Sequence, residues 1–195
     1  RLSIIDLGKR SNQPFIYKNL LLVFNGEIYN YIELRNDLMN VGYKFETNSD
    51  TEVLIKSIEY FGEKVFDKIE GMWAFAIFDL KKNKLILSRD RFGEKPLYYK
   101  KDEYGIYFGS ETKFIQSLCE KKLKPNLVKC QDFLSYGYNS FSLNDNSFIE
   151  TIKNIKPSTN LIINKKNVLT KRIYWSLNKI KIDKSLDLKK HIIDI

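Results

Sequence analysis

Across residues 71–108 the chain breaks into four short apolar runs: 72–78, 85–88, Pro96-Leu97-Tyr98-Tyr99 and Ile106-Tyr107-Phe108. Polar, turn-forming residues such as those at 79–84 separate them. Runs of this length, rich in aromatic and branched side chains, read as strands, and connections this short join antiparallel neighbours. The region is therefore expected to form an antiparallel meander, which limits the fold to one built around antiparallel sheet.

Helices are expected before the meander. Leu20-Leu21-Leu22-Val23-Phe24 is a short apolar run ending at Asn25-Gly26, which suits a buried strand followed by a tight turn. Tyr31, Leu34, Leu38 and Val41 then recur at helical spacing and stop at Gly42. Ser49-x-x-Glu52 has the form of a capping box ahead of Val53, Leu54, Ile58 and Phe61, predicting a second helix from about Asp50 to Gly62. Beyond the meander, a helical stretch near 128–136 precedes two runs, 160–163 and 168–174, that flank Lys165-Lys166-Asn167 as a hairpin. Residues 177–184 read as a polar linker, and Leu186, Leu188, Ile192 and Ile193 as the start of a helix. Arg1-Leu2-Ser3-Ile4-Ile5 reads as a strand already under way, so the chain is taken to be a fragment.

Composition narrows the function classes. A length of 195 residues with 43% hydrophobic content supports a buried core. The apolar runs fall far short of the roughly 20 residues of a membrane span, and nothing at the start reads as a signal peptide. No membrane and a cytoplasmic location are expected. Cys119 and Cys130 lack metal-ligand or redox spacing, and His191 stands alone, which argues against a metal centre or a Ser-His-Asp triad. The net charge of +9 comes from lysines scattered among Asn, Ile and acids, a solvated surface and not a nucleic-acid face.

Asn25-Gly26-Glu27 places an amide donor, a backbone without a side chain and a carboxylate together. An oxyanion needs such donors, and glycine admits a ligand to the main chain. Asn-Gly is also the commonest hairpin turn, and taken alone the turn explains it better. Asp50 could receive an ammonium, though acidic residues at helix starts are expected from capping alone. The charged stretch from Arg89 to Lys95 reads equally as a salt-bridged loop.

The order of the phrases decides more than any one of them. Arg1-Leu2-Ser3-Ile4-Ile5-Asp6, Asn25-Gly26-Glu27-Ile28-Tyr29-Asn30, Ser49-Asp50-Thr51-Glu52, Glu70-Gly71-Met72-Trp73-Ala74-Phe75-Ala76, Arg89-Asp90-Arg91-Phe92-Gly93-Glu94-Lys95-Pro96-Leu97-Tyr98-Tyr99 and Gly109-Ser110-Glu111-Thr112-Lys113 stand in sequence. Together they resemble the glutaminase domain of glutamine-hydrolysing asparagine synthetases, closely to about Lys113 and more weakly to Trp175.

The resemblance implies an α+β fold of the amino-terminal-nucleophile hydrolase type, a four-layer αββα sandwich with antiparallel sheets. It assigns residues 1–175 to the glutaminase domain and 176–195 to a linker and the start of an ATP-dependent synthetase domain. Asn25 and the Gly26 N–H would form the oxyanion hole. Arg1 would grip the α-carboxylate of glutamine, and Glu27 and Asp50 its α-ammonium. Arg89, Asp90 and Lys95 stay architectural. Glutamine is the implied substrate, with aspartate, ATP and Mg2+ used by the synthetase domain and a homodimer as the assembly. In the family a cysteine with a free α-amine attacks the amide. Neither Cys119 nor Cys130 can carry a free α-amine, so this fragment is expected to be inactive alone. Two rivals share the resemblance: an amidotransferase with another acceptor, and a glutamine-binding module without catalysis.

Overall fold

The computed structural model describes residues 8, 11–119, 122–137 and 145–179. Strand β1 (Phe15–Tyr17) pairs with β2 (Leu20–Ile28), and helices α1 (Tyr31–Asn40), α2 (Asp50–Phe61) and α3 (Val65–Lys68) follow. Next come β3 (Gly71–Asp79), β4 (Lys84–Arg89), β5 (Tyr98–Lys101), β6 (Ile106–Gly109), α4 (Thr112–Ser117) and α5 (Leu127–Tyr136). The last strands are β7 (Lys153–Asn154), β8 (Thr159–Ile163) and β9 (Leu169–Ile173). All described pairings are antiparallel, in a six-stranded sheet β1-β2-β3-β4-β8-β9 and a three-stranded sheet β6-β5-β7.

The alternation of side chains along a strand builds the layers. In β2, Leu20, Leu22, Phe24 and Ile28 face one way and pack with Val53, Leu54 and Ile55 of α2 and Val65 and Phe66 of α3. The opposite face, with Ala74, Ala76, Leu87 and Leu161, meets Leu97 and Tyr99 of the three-stranded sheet. Helix α4 buries Ile115 on the far side of that smaller sheet. The order of layers is thus helix, sheet, sheet, helix, as the resemblance implies. Each fully buried leucine or isoleucine here contributes roughly 1.5–3 kcal/mol.

Several expectations change. The strand does not end at Asn25-Gly26: β2 runs through both to Ile28, with Asn25 opposite Ala74 and Gly26 opposite Trp73. An antiparallel partner along the whole of β3 outweighs the local turn preference of the dipeptide. The meander also divides, β3 and β4 entering the large sheet and β5 and β6 the small one. The capping box is half realised. Ser49 Oγ accepts the Glu52 N–H at 3.2 Å, but the Glu52 carboxylate turns to the Glu46 and Thr47 N–H groups and to Lys56 Nζ at 2.6 Å. Helix α5 forms where expected, with Leu127, Val128 and Leu134 exposed, Lys129 buried and Cys130 half-buried. The expected Arg1 strand and the helix near Leu186 lie outside the described residues, as does His191. Among the described residues no helix is long and apolar enough to cross a membrane, and no cluster of three His, Cys, Asp or Glu could hold a metal ion.

Candidate functional site

The end of β2 and the start of α2 come together because Asp50 reaches back to the strand. Its Oδ2 accepts the Ile28 N–H at 3.1 Å, and the residue is only 7% exposed. The Ile28 amide therefore points away from β3. Four residues earlier, the Phe24 N–H donates to Gln13 Oε1 at 2.7 Å, also away from β3, and the Phe24 carbonyl accepts from Gln13 Nε2 at 2.8 Å. Backbone groups alternate sides along an antiparallel strand, so the Gly26 N–H, midway between these two, points to the same edge.

Gly26 is required where it stands. A β-carbon there would lie 2.1 Å from the Met72 carbonyl oxygen, and Gly71 makes the reciprocal close approach to the Glu27 carbonyl oxygen. The two glycines let β2 and β3 draw together at this end of the sheet.

Asn25 and Glu27 project from the face opposite the helices. Asn25 Nδ2 donates to Ser110 Oγ at 3.2 Å, across the gap between the two sheets. Both residues line a cavity of about 180 Å³ together with Val23, Ala74, Leu97 and Phe108. Burial pushes the Asp50 carboxyl above the ordinary carboxylate range against hydrogen bonds from the Ile28 and Thr51 amides, and the nearby Glu27 charge pushes it the same way. Partial burial, followed by the charges of Glu94, Glu27 and Asp90, raises the Tyr29 phenol. The strand end is thus an acidic neighbourhood able to attract a cation.

The Arg89-to-Lys95 stretch builds a wall. Asp90 accepts the N–H groups of Trp73, Phe92, Glu94 and Lys95. Arg89 is 9% exposed and donates to the carbonyls of Lys95, Gly93 and Ile155 and to Asn154 Oδ1. These bonds tie both side chains down, mostly to main-chain partners, in keeping with an architectural role.

Of the residues singled out in the sequence, Asn25, Gly26, Glu27 and Asp50 gather at one sheet end, and Arg1 lies outside the described residues. Cys119 donates to the Ile115 carbonyl, and neither cysteine lines the cavity beside Asn25. A more enclosed cavity of about 260 Å³, with Leu20, Ile58 and Phe66 in its walls, contains none of the four. Two contributors went unread in the sequence. Glu94 adds to the acidic field, and Ser110 bonds Asn25; its place in Gly109-Ser110-Glu111 was the available signal, but nothing local shows that it meets a residue 85 positions away.

The model of the glutamine amidotransferase domain matches residues 1–175. "Asparagine synthetase [glutamine-hydrolyzing] 1" of Bacillus subtilis is 35% identical over 180 residues, covering 91% of this chain and 28% of that protein. "Putative asparagine synthetase [glutamine-hydrolyzing] 2" of Methanocaldococcus jannaschii is 34% identical over 198 residues, covering 91% and 37%. The chain therefore spans roughly a third of the length of these relatives. Among solved structures, glutamine phosphoribosylpyrophosphate amidotransferase from B. subtilis aligns with a TM-score of 0.59 at 24% identity, over 88% of this chain and 33% of that one, which shows a shared fold.

Proposed function

The chain belongs to the glutamine amidotransferase domain family, and from that premise we propose that it is the glutaminase part of an asparagine synthetase, releasing ammonia from glutamine for ATP-dependent amidation of aspartate. The observation that carries the site assignment is the convergence of Asn25, the edge-facing Gly26 amide and Asp50 at one strand end.

Hydrolysis begins when a thiolate attacks the side-chain carbonyl carbon of glutamine. The carbonyl electron pair moves onto oxygen, where an Asn25 amide N–H and the Gly26 N–H meet the charge. As the C–N bond breaks, the nitrogen takes a proton and leaves as ammonia, and a thioester remains. Water then releases glutamate and restores the thiol. By the resemblance the thiol is that of a cysteine bearing a free α-amine, which Cys119 and Cys130, being internal, lack. Glu27 and Asp50 hold the substrate α-ammonium, and Arg1 its α-carboxylate. The ATP, Mg2+ and aspartate sites belong to a synthetase domain outside this chain. The same resemblance implies a homodimer in the cytoplasm, where Cys119 and Cys130 stay free thiols.

The test is the full-length protein supplied with glutamine labelled with 15N in its side-chain amide, aspartate and ATP. Label in the asparagine side chain is expected. Glutamate release without asparagine would keep the glutaminase and overturn the acceptor; no glutamate release would overturn both.

A further inference from the structure

Asn25 stands on β2 of the large sheet, and Ser110 follows directly on Gly109, the last residue of β6 in the small one. Their hydrogen bond at 3.2 Å therefore joins the two sheets at the candidate site. A side-chain amide carries two N–H donors. Ser110 Oγ takes one and leaves the second for a ligand.

The torsion that turns an asparagine amide is broad and nearly twofold, so an unrestrained amide would sweep its plane and exchange its oxygen and nitrogen. A hydroxyl anchored on the opposite sheet fixes that plane. A negative oxygen developing beside it then selects the orientation with nitrogen inward, because the carboxamide oxygen would repel it. Ser110 itself is well held: β6 is paired with β5, Gly109 lies opposite Tyr98, and α4 begins two residues later on the buried side chain of Ile115. Ser110 also lines a second cavity, of about 710 Å³, beside the Arg89-to-Lys95 wall.

We infer that Ser110 is a positioning residue, whose hydroxyl holds the Asn25 amide in the plane needed to meet the oxyanion. This rests on the oxyanion role proposed for Asn25. Orientation errors of this kind affect the rate of the chemical step more than ground-state binding.

The experiment compares Ser110→Ala, Ser110→Thr and Asn25→Ala in the full-length protein, with glutamine and with ammonia as nitrogen donor. Ser110→Ala is expected to lower the glutamine kcat roughly tenfold while leaving its KM within about twofold, and Ser110→Thr, which restores the hydroxyl, to recover most of the rate. Thermal unfolding reports that the glutaminase part of each variant is folded, and the ammonia-dependent rate that its synthetase domain works. A wild-type kcat for Ser110→Ala beside a slow Asn25→Ala would overturn the role of Ser110 and keep that of Asn25. A wild-type kcat for Asn25→Ala would overturn the reading beneath both. Equal loss with both donors in Ser110→Ala, without recovery in Ser110→Thr, would make Ser110 a structural residue and overturn the inference.

Discussion

The Asp50 carboxylate accepts the Ile28 N–H at 3.1 Å, fastening the first turn of α2 to β2 two residues beyond Gly26. Asp50→Asn keeps an oxygen for that amide and removes the charge. Burial raises the carboxyl of the folded protein above its unfolded value near 3.8, so the ionised form costs stability at neutral pH, a cost that fades as the pH falls below the raised value. The Asn variant should be at least as stable as wild type at pH 7, with the glutamine KM raised roughly tenfold or more by loss of a charged contact. Thermal unfolding and steady-state kinetics check the two halves: a less stable variant contradicts the buried-charge cost, and an unchanged KM contradicts the ammonium role.

Gly26→Ala should destabilise the fold before it affects any ligand. Its β-carbon would press on the Met72 carbonyl oxygen, which belongs to the backbone of β3 and cannot rotate away. The collision thus lies inside the sheet and not in the pocket. A loss of about 3 kcal/mol or more is expected by urea denaturation. A variant as stable as wild type would show that the strands do not approach this closely.

Arg89→Ala should also destabilise, by about 3 kcal/mol, since the carbonyls of Gly93, Lys95 and Ile155 lose a buried donor together. Arg89→Lys should recover little, because an ammonium cannot reproduce the planar fork of donors. Full recovery with lysine in equilibrium unfolding would mean that charge alone matters at this position.

Glu52 gives the fold an acid-sensitive point. Burial pushes its carboxyl up, but Lys56, the Thr47 hydroxyl and the amides of Glu46 and Thr47 together hold it below the ordinary range. A depressed pKa adds stability that is present above the unfolded value near 4.5 and lost as the pH falls through the folded value. Glu52→Gln should therefore cost roughly 2 kcal/mol at pH 7. Its deficit against wild type should shrink steadily below pH 4.5 in urea titrations; a deficit independent of pH would assign the loss to shape and not to charge.

Periodicity disclosed the helical layer well. The spacing from Tyr31 to Val41 and the Ser49 cap predicted α1 and α2 to within a residue or two, because local hydrogen bonding and one buried stripe decide both. The strands were visible, but not their division between two sheets, which depends on pairings between β4 and β8 across some seventy residues. The turn expected at Asn25-Gly26 failed for the same reason, since a distant partner strand overrode a local preference. The ordered motifs singled out Asn25, Gly26, Glu27 and Asp50, and the structure brings these four together at one end of the large sheet. The Asn25–Ser110 bond was not legible in them, because it is a product of sheet packing.

The central claim is that Asn25 and the Gly26 amide stabilise charge on the glutamine side-chain oxygen. The most direct measurement is the ratio of glutamine-dependent to ammonia-dependent asparagine formation by full-length Asn25→Ala. Loss of one oxyanion donor predicts a fall in that ratio of about 10²–10³. An unchanged ratio, whether both rates persist or both fall together, would contradict it.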